Sequence, residues 1–459
     1  MFPASLRGTG ARKFPEKLYV RLPKKIESLR GMKKIVLFGP GPYFKGGLAN
    51  YNISLARAMD ALDCWDEVHL ISWTQQYPAL IPRDFADTKT KEDKLGGTRV
   101  KLHYLTDYNR PGSWGKTVDL IKEINPQCVV IQWSIALQGL PLGFMVKRLR
   151  KETKIEVLFD LHFVIQKEQS FIDRFFTSFG LKHASGFVVH AGKTLEELKE
   201  VFPGKQFAMN ESGERNPAAS AGAVPVVKLF HPVYDMFRPD PAFDAEAEKN
   251  RLGLRKHVFL FFGFIRKYKG LHFCLDAFAK MAAQRDDVSL LIVGESFWKT
   301  LDETKFLNRL KKSVFRVLRS LLSKGSEDET QYNPLSLIEH YGLQDRVAVV
   351  NDFVPNEEVY RYFQVSDAIL LFYEYATPSG VESMAYNFSK PILASRVGHF
   401  PETIEDGKNG YLANAADVED MAAVMEKFLQ HPVPEANMKA MAERFSWKIY
   451  AEAISRPWM

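Results

Sequence analysis

Two cations, Arg266 and Lys269, are the residues whose types and spacing most directly suggest chemistry, in the segment FFGFIRKYKGLHFCLDAF. They follow an apolar run that ends at Gly263 and stand just before a helical stretch. Fixed cations at the carboxyl end of a buried strand can balance the charge that grows on a diphosphate leaving group as its bond breaks. The alternative is a pair of solvated loop charges, and the two residues alone do not decide between these interpretations.

A glycine turn near the start of the chain is a second candidate for anion contact. The segment GPGPYFKGGLANY contains Gly46 and Gly47 after the first apolar run. Glycines let the backbone approach a ligand, and amides at the start of the following helix suit anionic groups. The spacing is not GxGxxG, and Asp60 and Asp63 do not stand where a ribose-binding acid would. The turn therefore argues against an NAD-dependent oxidoreductase, while a purely structural turn is the simple alternative.

A third candidate is the turn that opens a helix near Gly380, in YEYATPSGVESMAYNFSKP. The free amides of Gly380 and Val381, with the Ser379 hydroxyl, are typical of phosphate binding at a helix N-terminus. Glu374 and Glu382 stand on either side and could accept hydrogen bonds from sugar hydroxyls. A lone glutamate on a helix is more often a solvated surface residue, so residue type alone does not assign either one.

Short apolar runs alternate with helical stretches, and these elements must position the three candidate segments. Near-continuous apolar runs without polar alternation are typical of parallel strands buried on both faces. A first series of strands is predicted at Ile35–Phe38, Glu67–Trp73, Val100–Leu105, Cys128–Trp133, Ile155–Asp160, Gly186–His190 and Val226–Phe230. A second series is predicted at Phe259–Phe264, Ser289–Val293, Val347–Phe353, Ala368–Tyr373 and Pro391–Ala394.

The predicted fold is α/β, with two Rossmann-like, doubly wound parallel-sheet domains that face one another across a cleft. The predicted organisation is a basic N-terminal extension at 1–31, a first domain at 32–235, a linker at 236–254, a second domain at 255–430 with an insertion at 299–333, and a C-terminal helical segment at 431–459. Ligands of such sheets bind beyond the carboxyl ends of the strands, so the cleft between the domains is the expected site.

The net charge of +7 is concentrated at one end of the chain. Residues 1–34 contain ten basic and two acidic side chains, and the rest of the chain is close to neutral. This distribution argues against a protein that coats nucleic acid. Three widely separated cysteines exclude a disulfide framework and suit a reducing compartment. The first thirty residues lack the apolar core of a secretory signal, and Met32 looks like a natural chain start.

The segment Lys305–Lys324 predicts an amphipathic helix with an unusually basic polar face. Its apolar residues fall on one helical side, and seven basic residues with no acid occupy the rest. Such a helix suits the surface of an anionic bilayer. The alternative is a surface helix that packs its apolar stripe on the domain, with the acidic residues Glu327, Asp328 and Glu329 neutralising it.

Taken together, the motifs resemble the GT-B-fold glycosyltransferases of family GT4, over nearly all of Lys33–Leu429. The resemblance rests on the order and spacing of weak motifs: the GG-containing first turn, Gly263–Gly270 (G-x-I-R-x-Y-K-G), Val293–Glu295, Phe353–Pro355, Ser379–Gly380, Lys390–Pro391 and Val397–Gly410. The first half is similar to one bacterial subset through Gln75–Pro78, Ile131–Trp133, Val189–His190 and His231–Tyr234.

This resemblance implies a nucleotide-diphosphate sugar held mainly by the second domain and an acceptor, a glycan or a lipid-linked sugar, bound mainly by the first. It implies transfer with retention of configuration and without a metal or other cofactor, and the chain has no Asp-x-Asp pair for a cation. The implied catalytic residues are Arg266 and Lys269 at the diphosphate and His162 facing the donor sugar. The implied donor-binding residues are Gly46, Gly47, Glu295, Val354, Glu374, Ser379, Gly380, Val381 and Glu382.

One part of the pattern departs from the family. Glu374 and Glu382 have the family's E-x7-E spacing, but Glu382 lies nine residues before Pro391, where about seven is usual. Counting back from Pro391 places Met384 at the second glutamate position. Either the helix carries a two-residue offset and Glu382 reaches the ribose, which we favour, or both glutamates are lost. The glycine expected before Lys-Pro is replaced by Ser389.

The leading functional hypothesis is a retaining hexosyltransferase of cell-envelope or extracellular polysaccharide synthesis. It would be cytoplasmic and peripheral on the inner face of the plasma membrane, held there by residues 1–34 and 305–324. The displaced glutamates motivate an alternative, a non-catalytic nucleotide-sugar-binding partner of a glycan synthase complex.

Overall fold

The computed structural model describes residues 31–79, 86–87, 90–165, 171–210, 222–296, 332–376 and 379–458. From Lys33 onward the chain belongs to one compact unit. Residues 1–30 of the basic N-terminal extension and the whole Lys305–Lys324 segment lie outside the described residues, so what was predicted for them stays a prediction. Within the described ranges, no helix is both long enough and apolar enough to cross a bilayer.

The first sheet has eight parallel strands in the order β3-β2-β1-β4-β5-β6-β8-β7. They are β1 Lys34–Phe38, β2 Glu67–Gln75, β3 Lys101–Asp107, β4 Cys128–Trp133, β5 Glu156–Leu161, β6 Gly186–Val189, β7 Phe207–Asn210 and β8 Val224–Lys228. The helices are α1 Gly47–Asp60, α2 Pro111–Ile124, α3 Gly139–Glu152, α4 Phe171–Leu181 and α5 Gly192–Val201. The sequence did not predict β7, a four-residue edge strand that is only partly buried and so lacks a strong apolar signal.

The second sheet has six parallel strands in the order β11-β10-β9-β12-β13-β14. They are β9 His257–Phe262, β10 Val288–Val293, β11 Val347–Val350, β12 Ala368–Leu371, β13 Ile392–Ser395 and β14 Gly410–Ala413. The described helices around it are α6 Ala245–Leu252, α7 Leu271–Ala282, α8 Ser336–His340, α9 Val359–Gln364, α10 Gly380–Asn387, α11 Phe400–Thr403, α12 Val418–Gln430 and α13 Glu435–Arg444. The predicted α/β fold with two parallel-sheet domains is confirmed.

The predicted linker contains a helix, α6, which the sequence interpretation missed. The Asp244 carboxylate accepts a hydrogen bond from the Ala247 amide at its start, and Gly253 takes a left-handed conformation at its end. Both ends are therefore capped, which stabilises a short helix. Glu248 also binds Arg251 and Arg361, which ties α6 to the second domain.

The last helix, α14 (Trp447–Ser455), returns to the first domain. Trp65 donates a hydrogen bond to the Ser455 hydroxyl (2.9 Å), and the Tyr450 hydroxyl donates to the buried Asp160 carboxylate (2.9 Å). The core of the first domain is therefore completed by residues from the end of the chain.

Candidate functional site

A cavity of about 250 Å³ lies where the carboxyl ends of the two sheets meet. The turn between β1 and α1 lines it from the first domain, and loops after β9, β10, β11 and β12 line it from the second. Eight of the predicted site residues are on its wall: Gly46, Gly47, Lys269, Glu295, Val354, Ser379, Gly380 and Val381. The other four, His162, Arg266, Glu374 and Glu382, do not line it.

Lys269 is a cationic residue of the cavity wall. A Cβ added to Gly263 would stand 2.9 Å from the Lys269 ammonium, and Gly263 has a φ of +98°, so a side chain there would be both crowded and strained. Burial lowers the pKa of Lys269 to about 8, and the positive charge of Arg266 contributes to this shift. A poorly solvated ammonium of this kind gains stability when an anion binds beside it.

Arg266 stands next to Lys269 but off the cavity wall. It precedes the short 3-10 turn Lys267–Lys269, and its guanidinium carbon lies 5.7 Å from the centre of the Tyr268 ring. Its charge is near enough to lower the pKa of Lys269. The two predicted cations are therefore brought together, with Lys269 as the one that faces the cavity.

Tyr234 connects the glycine turn of the first domain with the start of α10 in the second. Its hydroxyl donates a hydrogen bond to the Gly47 carbonyl (2.8 Å), and a Cβ added to Gly380 would stand 2.7 Å from its ring. Tyr234 is buried and lines the cavity. In the sequence, Tyr234 belongs to the segment His231–Tyr234 that is similar to a bacterial subset, and its residue type carries no signal for this position.

Two further contacts cross the cleft at the cavity. Lys45, in the glycine turn, pairs with Glu295 after β10 at 3.7 Å. Asn50 on α1 exchanges amide hydrogen bonds with Asn356, with N···O distances of 3.2 and 3.5 Å. Lys45, Asn50 and Asn356 were not predicted as site residues, because pairing across two domains leaves no local pattern in the sequence.

Glu374 lies outside the cavity. Its backbone amide donates to the Tyr268 carbonyl (2.8 Å), and its carboxylate is 3.8 Å from the Nε2 atom of His272 on α7. Its backbone thus supports the segment that carries Lys269, while its carboxylate faces a neighbouring helix.

Glu382 is buried in a polar network away from the cavity wall. Its carboxylate accepts hydrogen bonds from Thr403 and Tyr386 and pairs with Nε2 of His399. Met384, two residues further along the same helix, lines the cavity. This arrangement favours the second of the two sequence interpretations, in which Met384 occupies the position of the family's second glutamate.

His162 belongs to a buried cluster in the first domain. Its Nε2 atom lies 2.8 Å from the Gln132 amide oxygen, so Nε2 carries the proton, and its ring packs edge-on against Tyr51 at 4.6 Å between ring centres. Burial lowers the pKa of His162 to about 4. At neutral pH the ring is therefore uncharged and can act through hydrogen bonds but not through a fixed positive charge.

Asp160 organises this cluster. Its carboxylate accepts hydrogen bonds from Tyr51 (3.0 Å), Tyr450 (2.9 Å) and His190 Nε2 (2.9 Å). The other nitrogen of His190 lies 3.0 Å from the Leu229 carbonyl oxygen, so both ring nitrogens have a polar partner. Burial alone would raise the pKa of Asp160, but the charge and hydrogen bond of His190 outweigh it and lower this pKa to about 2.

Asp160, His162 and His190 are also a set of potential metal ligands. Within the part of the chain that the structure describes, their ligand atoms lie within 4.8 Å of one another. The same atoms already bind protein groups, including Tyr51 and Gln132. The geometry is that of a satisfied hydrogen-bond cluster, in which a metal would have to replace several protein contacts.

Comparisons with known proteins agree with this architecture. Residues 242–445 match the family model of glycosyl transferases group 1. Spore coat protein SA of Bacillus subtilis is 23% identical over 219 residues, which are 46% of this chain and 50% of that protein. D-inositol 3-phosphate glycosyltransferase of Streptomyces avermitilis is 25% identical over 281 residues, 58% of this chain and 54% of that protein. The chain thus spans about half the length of these curated relatives.

Solved structures share the whole fold. The Anabaena protein HepE in complex with UDP-glucose has a TM-score of 0.63 at 16% identity, covering 92% of this chain and 98% of that one. A sucrose-phosphate synthase from Thermosynechococcus elongatus has a TM-score of 0.60 at 17% identity, covering 93% and 98%. At these identities the likeness shows the fold alone.

Proposed function

We propose that this chain, whose residues 242–445 match the family model of glycosyl transferases group 1, transfers a sugar from a nucleotide-diphosphate donor bound in the cavity between its sheets. One observation carries the proposal. Lys269, the free amides at the start of α10 and the Gly46–Gly47 turn converge on one cavity, at the carboxyl ends of both sheets. A cation and backbone amides from separate elements are what a diphosphate requires.

The chemical role of the site is to stabilise the leaving group. As the bond between sugar and phosphate breaks, negative charge grows on the diphosphate, and the Lys269 ammonium and the amides of Gly380 and Val381 are placed to balance it. Burial, with the charge of Arg266 added, lowers the pKa of Lys269, and a bound diphosphate would raise this pKa again. His162 does not line the cavity and donates its Nε2 proton to Gln132, so it would meet the donor sugar through its unprotonated Nδ1 atom and not through a charge.

The finer features of the reaction follow from the GT4 resemblance. We propose retention of configuration, no required metal, and a glycan or lipid-linked sugar as acceptor on the first domain. UDP-sugars are the first donors to test, since HepE was solved with UDP-glucose. The proposed setting is envelope or extracellular polysaccharide synthesis at the cytoplasmic membrane face, with residues 1–34 and 305–324 attracted to anionic lipid.

The site is tested by removing both cations. For the Arg266→Ala, Lys269→Ala double variant we expect transfer from a labelled UDP-sugar to fall at least ~100-fold, as when preorganised electrostatic donors are removed. The matched control is Lys280→Ala on α7, the helix that follows Lys269. Lys280 is exposed and paired with Glu419, so its removal should leave the rate unchanged. The assay is run with and without EDTA, and equal rates are expected.

Two outcomes would contradict the proposal. Near-normal transfer by the double variant would refute the assignment of the diphosphate site. Tight donor binding without turnover, across a panel of acceptors, would favour the alternative of a non-catalytic nucleotide-sugar-binding partner.

A further inference from the structure

The outward faces of α3 and α4 expose large apolar side chains. On α3 the exposed fractions are 37% for Leu140 and 43% for Phe144, and on α4 they are 86% for Phe171, 39% for Ile172 and 55% for Phe175. The two helices are neighbours in one layer of the first domain. Single exposed apolar residues are ordinary, but a group of five on adjacent helices indicates a surface that contacts something apolar.

Glycines fix the relative position of these two helices. A Cβ added to Gly139 would stand 2.1 Å from the Phe176 carbonyl oxygen, and one added to Gly143 would stand 2.5 Å from the Phe179 ring. The backbones are therefore almost in contact. Because the packed faces are held this closely, the outward faces form one rigid surface.

Basic residues continue the same surface. Leu140, Phe144, Lys147 and Lys151 are spaced four, three and four residues apart, so they share one side of α3. Lys147 and Lys151 are exposed, as is Lys182 at the end of α4. The acid of α3, Glu152, is bound by Lys122 and Arg148 on the side that faces α2.

The apolar and basic halves have a definite orientation on the domain. Both helices start at the carboxyl edge of the first sheet, where the cavity lies, and run towards the opposite edge. The exposed aromatic residues therefore stand at the cavity edge of the domain, and the lysines stand further away. His162, which follows β5, is at the same edge as Phe171.

We propose that the outward face of α3 and α4, formed by Leu140, Phe144, Phe171, Ile172, Phe175 and the nearby lysines, docks on an anionic lipid bilayer. Aromatic and aliphatic side chains enter the boundary between headgroups and acyl chains, and lysines reach the phosphates. Anionic headgroups complement the lysines that continue the apolar surface, which is the reason for choosing a lipid bilayer as the partner. The surface would bring the cleft to a lipid-linked acceptor, and only this last point rests on the proposed function.

The test compares vesicle binding by the full-length chain and by a Phe171→Ser, Phe175→Ser variant. Vesicles of phosphatidylcholine with about one-third phosphatidylglycerol are the probe, and pure phosphatidylcholine is the reference. We expect the variant to bind the anionic vesicles at least ~10-fold more weakly, because two aromatic side chains no longer enter the interface. The control is Ile449→Ser, an isoleucine 50% exposed on α14, which should bind as the unaltered chain does.

Folding and donor binding are measured separately, by thermal melting and by the shift that a UDP-sugar causes. Both should be the same in the double variant and the unaltered chain, so that loss of vesicle binding reports the surface alone. Equal vesicle binding by the two proteins overturns the proposal, as does absence of binding by the unaltered chain. A change in oligomeric state on mutation, without a change in vesicle binding, also overturns it and assigns the face to self-association. If the unaltered chain does not bind a UDP-sugar, the proposed function is contradicted. The vesicle measurement still tests the docking surface in that case.

Discussion

At the residue scale, Lys269 combines a position on the cavity wall with a pKa that lies close to the pH of ordinary assays. Burial disfavours the charged form of an amine, and the neighbouring Arg266 adds repulsion, which together lower its pKa to about 8. Between this value and the ordinary lysine pKa the unfolded chain binds more protons than the folded one, so this residue's contribution to stability rises with pH across that window.

Donor use should therefore fall as the pH rises. For the free enzyme, kcat/KM for the donor is expected to decrease above pH about 8 as Lys269 loses its proton. In Lys269→Arg the alkaline decrease should disappear up to about pH 10, because a guanidinium stays protonated there. A pH–rate profile of both proteins checks this, and an identical alkaline limb in both would show that another group is responsible.

The register of α10 shows what residue types alone could and could not predict. Both Glu382 and Met384 lie within the continuous helix Gly380–Asn387, and two positions on a helix differ by about 200°, so only one of them can face the cavity. The extra length falls in the turn that follows, where Ser389 takes a left-handed φ of +55° in place of the expected glycine. The two-residue offset is visible in the sequence. Only the contacts of Glu382 with Thr403 and His399 decide that Met384, and not Glu382, faces the cavity.

At the element scale, the start of α10 depends on close packing against Tyr234. A Cβ on Gly380 would meet the Tyr234 ring at 2.7 Å, and the hydroxyl of that ring is held by Gly47. Gly380→Ala should displace the ring and weaken donor binding by ~10-fold while the protein still folds. Gly112→Ala is the matched control, since nothing lies within 4 Å of a Cβ there. Donor titrations of both variants test this, and unchanged affinity in Gly380→Ala would remove Tyr234 from the site.

The elements themselves were largely predictable where burial is complete. β4 was predicted with its observed bounds, because Cys128–Trp133 is a continuous buried run. The predicted linker concealed α6, since its prolines and glycine were interpreted as breaks when Gly253 in fact ends a helix. β7 was not predicted because it is only partly buried and lacks a continuous apolar run. β14 was not predicted because it begins at Gly410, which was interpreted as part of a turn motif.

At the scale of the whole molecule, the two domains are joined by contacts that no local pattern reveals. Lys45 with Glu295, Asn50 with Asn356, and Lys228 with Glu402 each join a residue of the first domain to one of the second. Their partners are separated by long stretches of chain, so only the assembled fold brings them together. This is why the cavity's position could be predicted from sheet topology, while polar wall residues such as Asn50 and Asn356 could not.

The contribution of α14 to the first domain can be tested by removing a single hydroxyl group. Tyr450→Phe removes a donor to the buried Asp160 carboxylate, and we expect the free energy of unfolding to fall by about 1–3 kcal/mol. Tyr341→Phe is the matched control, because its hydroxyl donates to Asp276 at the surface (3.0 Å) and its removal should cost less than about 0.5 kcal/mol. Urea unfolding of both variants measures the difference, and equal losses would mean that Asp160 does not depend on α14.

The path of α14 also has a consequence for the order in which the protein is made. Tyr450 follows Asp160 by 290 residues, so a ribosome has completed the whole second domain before the Asp160 carboxylate receives its last donor. Until then the first domain holds the Asp160 carboxylate and the His190 ring beneath an uncovered surface. The newly made first half is therefore expected to wait in an incomplete state, and the first domain reaches its final packing only after α14 has left the ribosome.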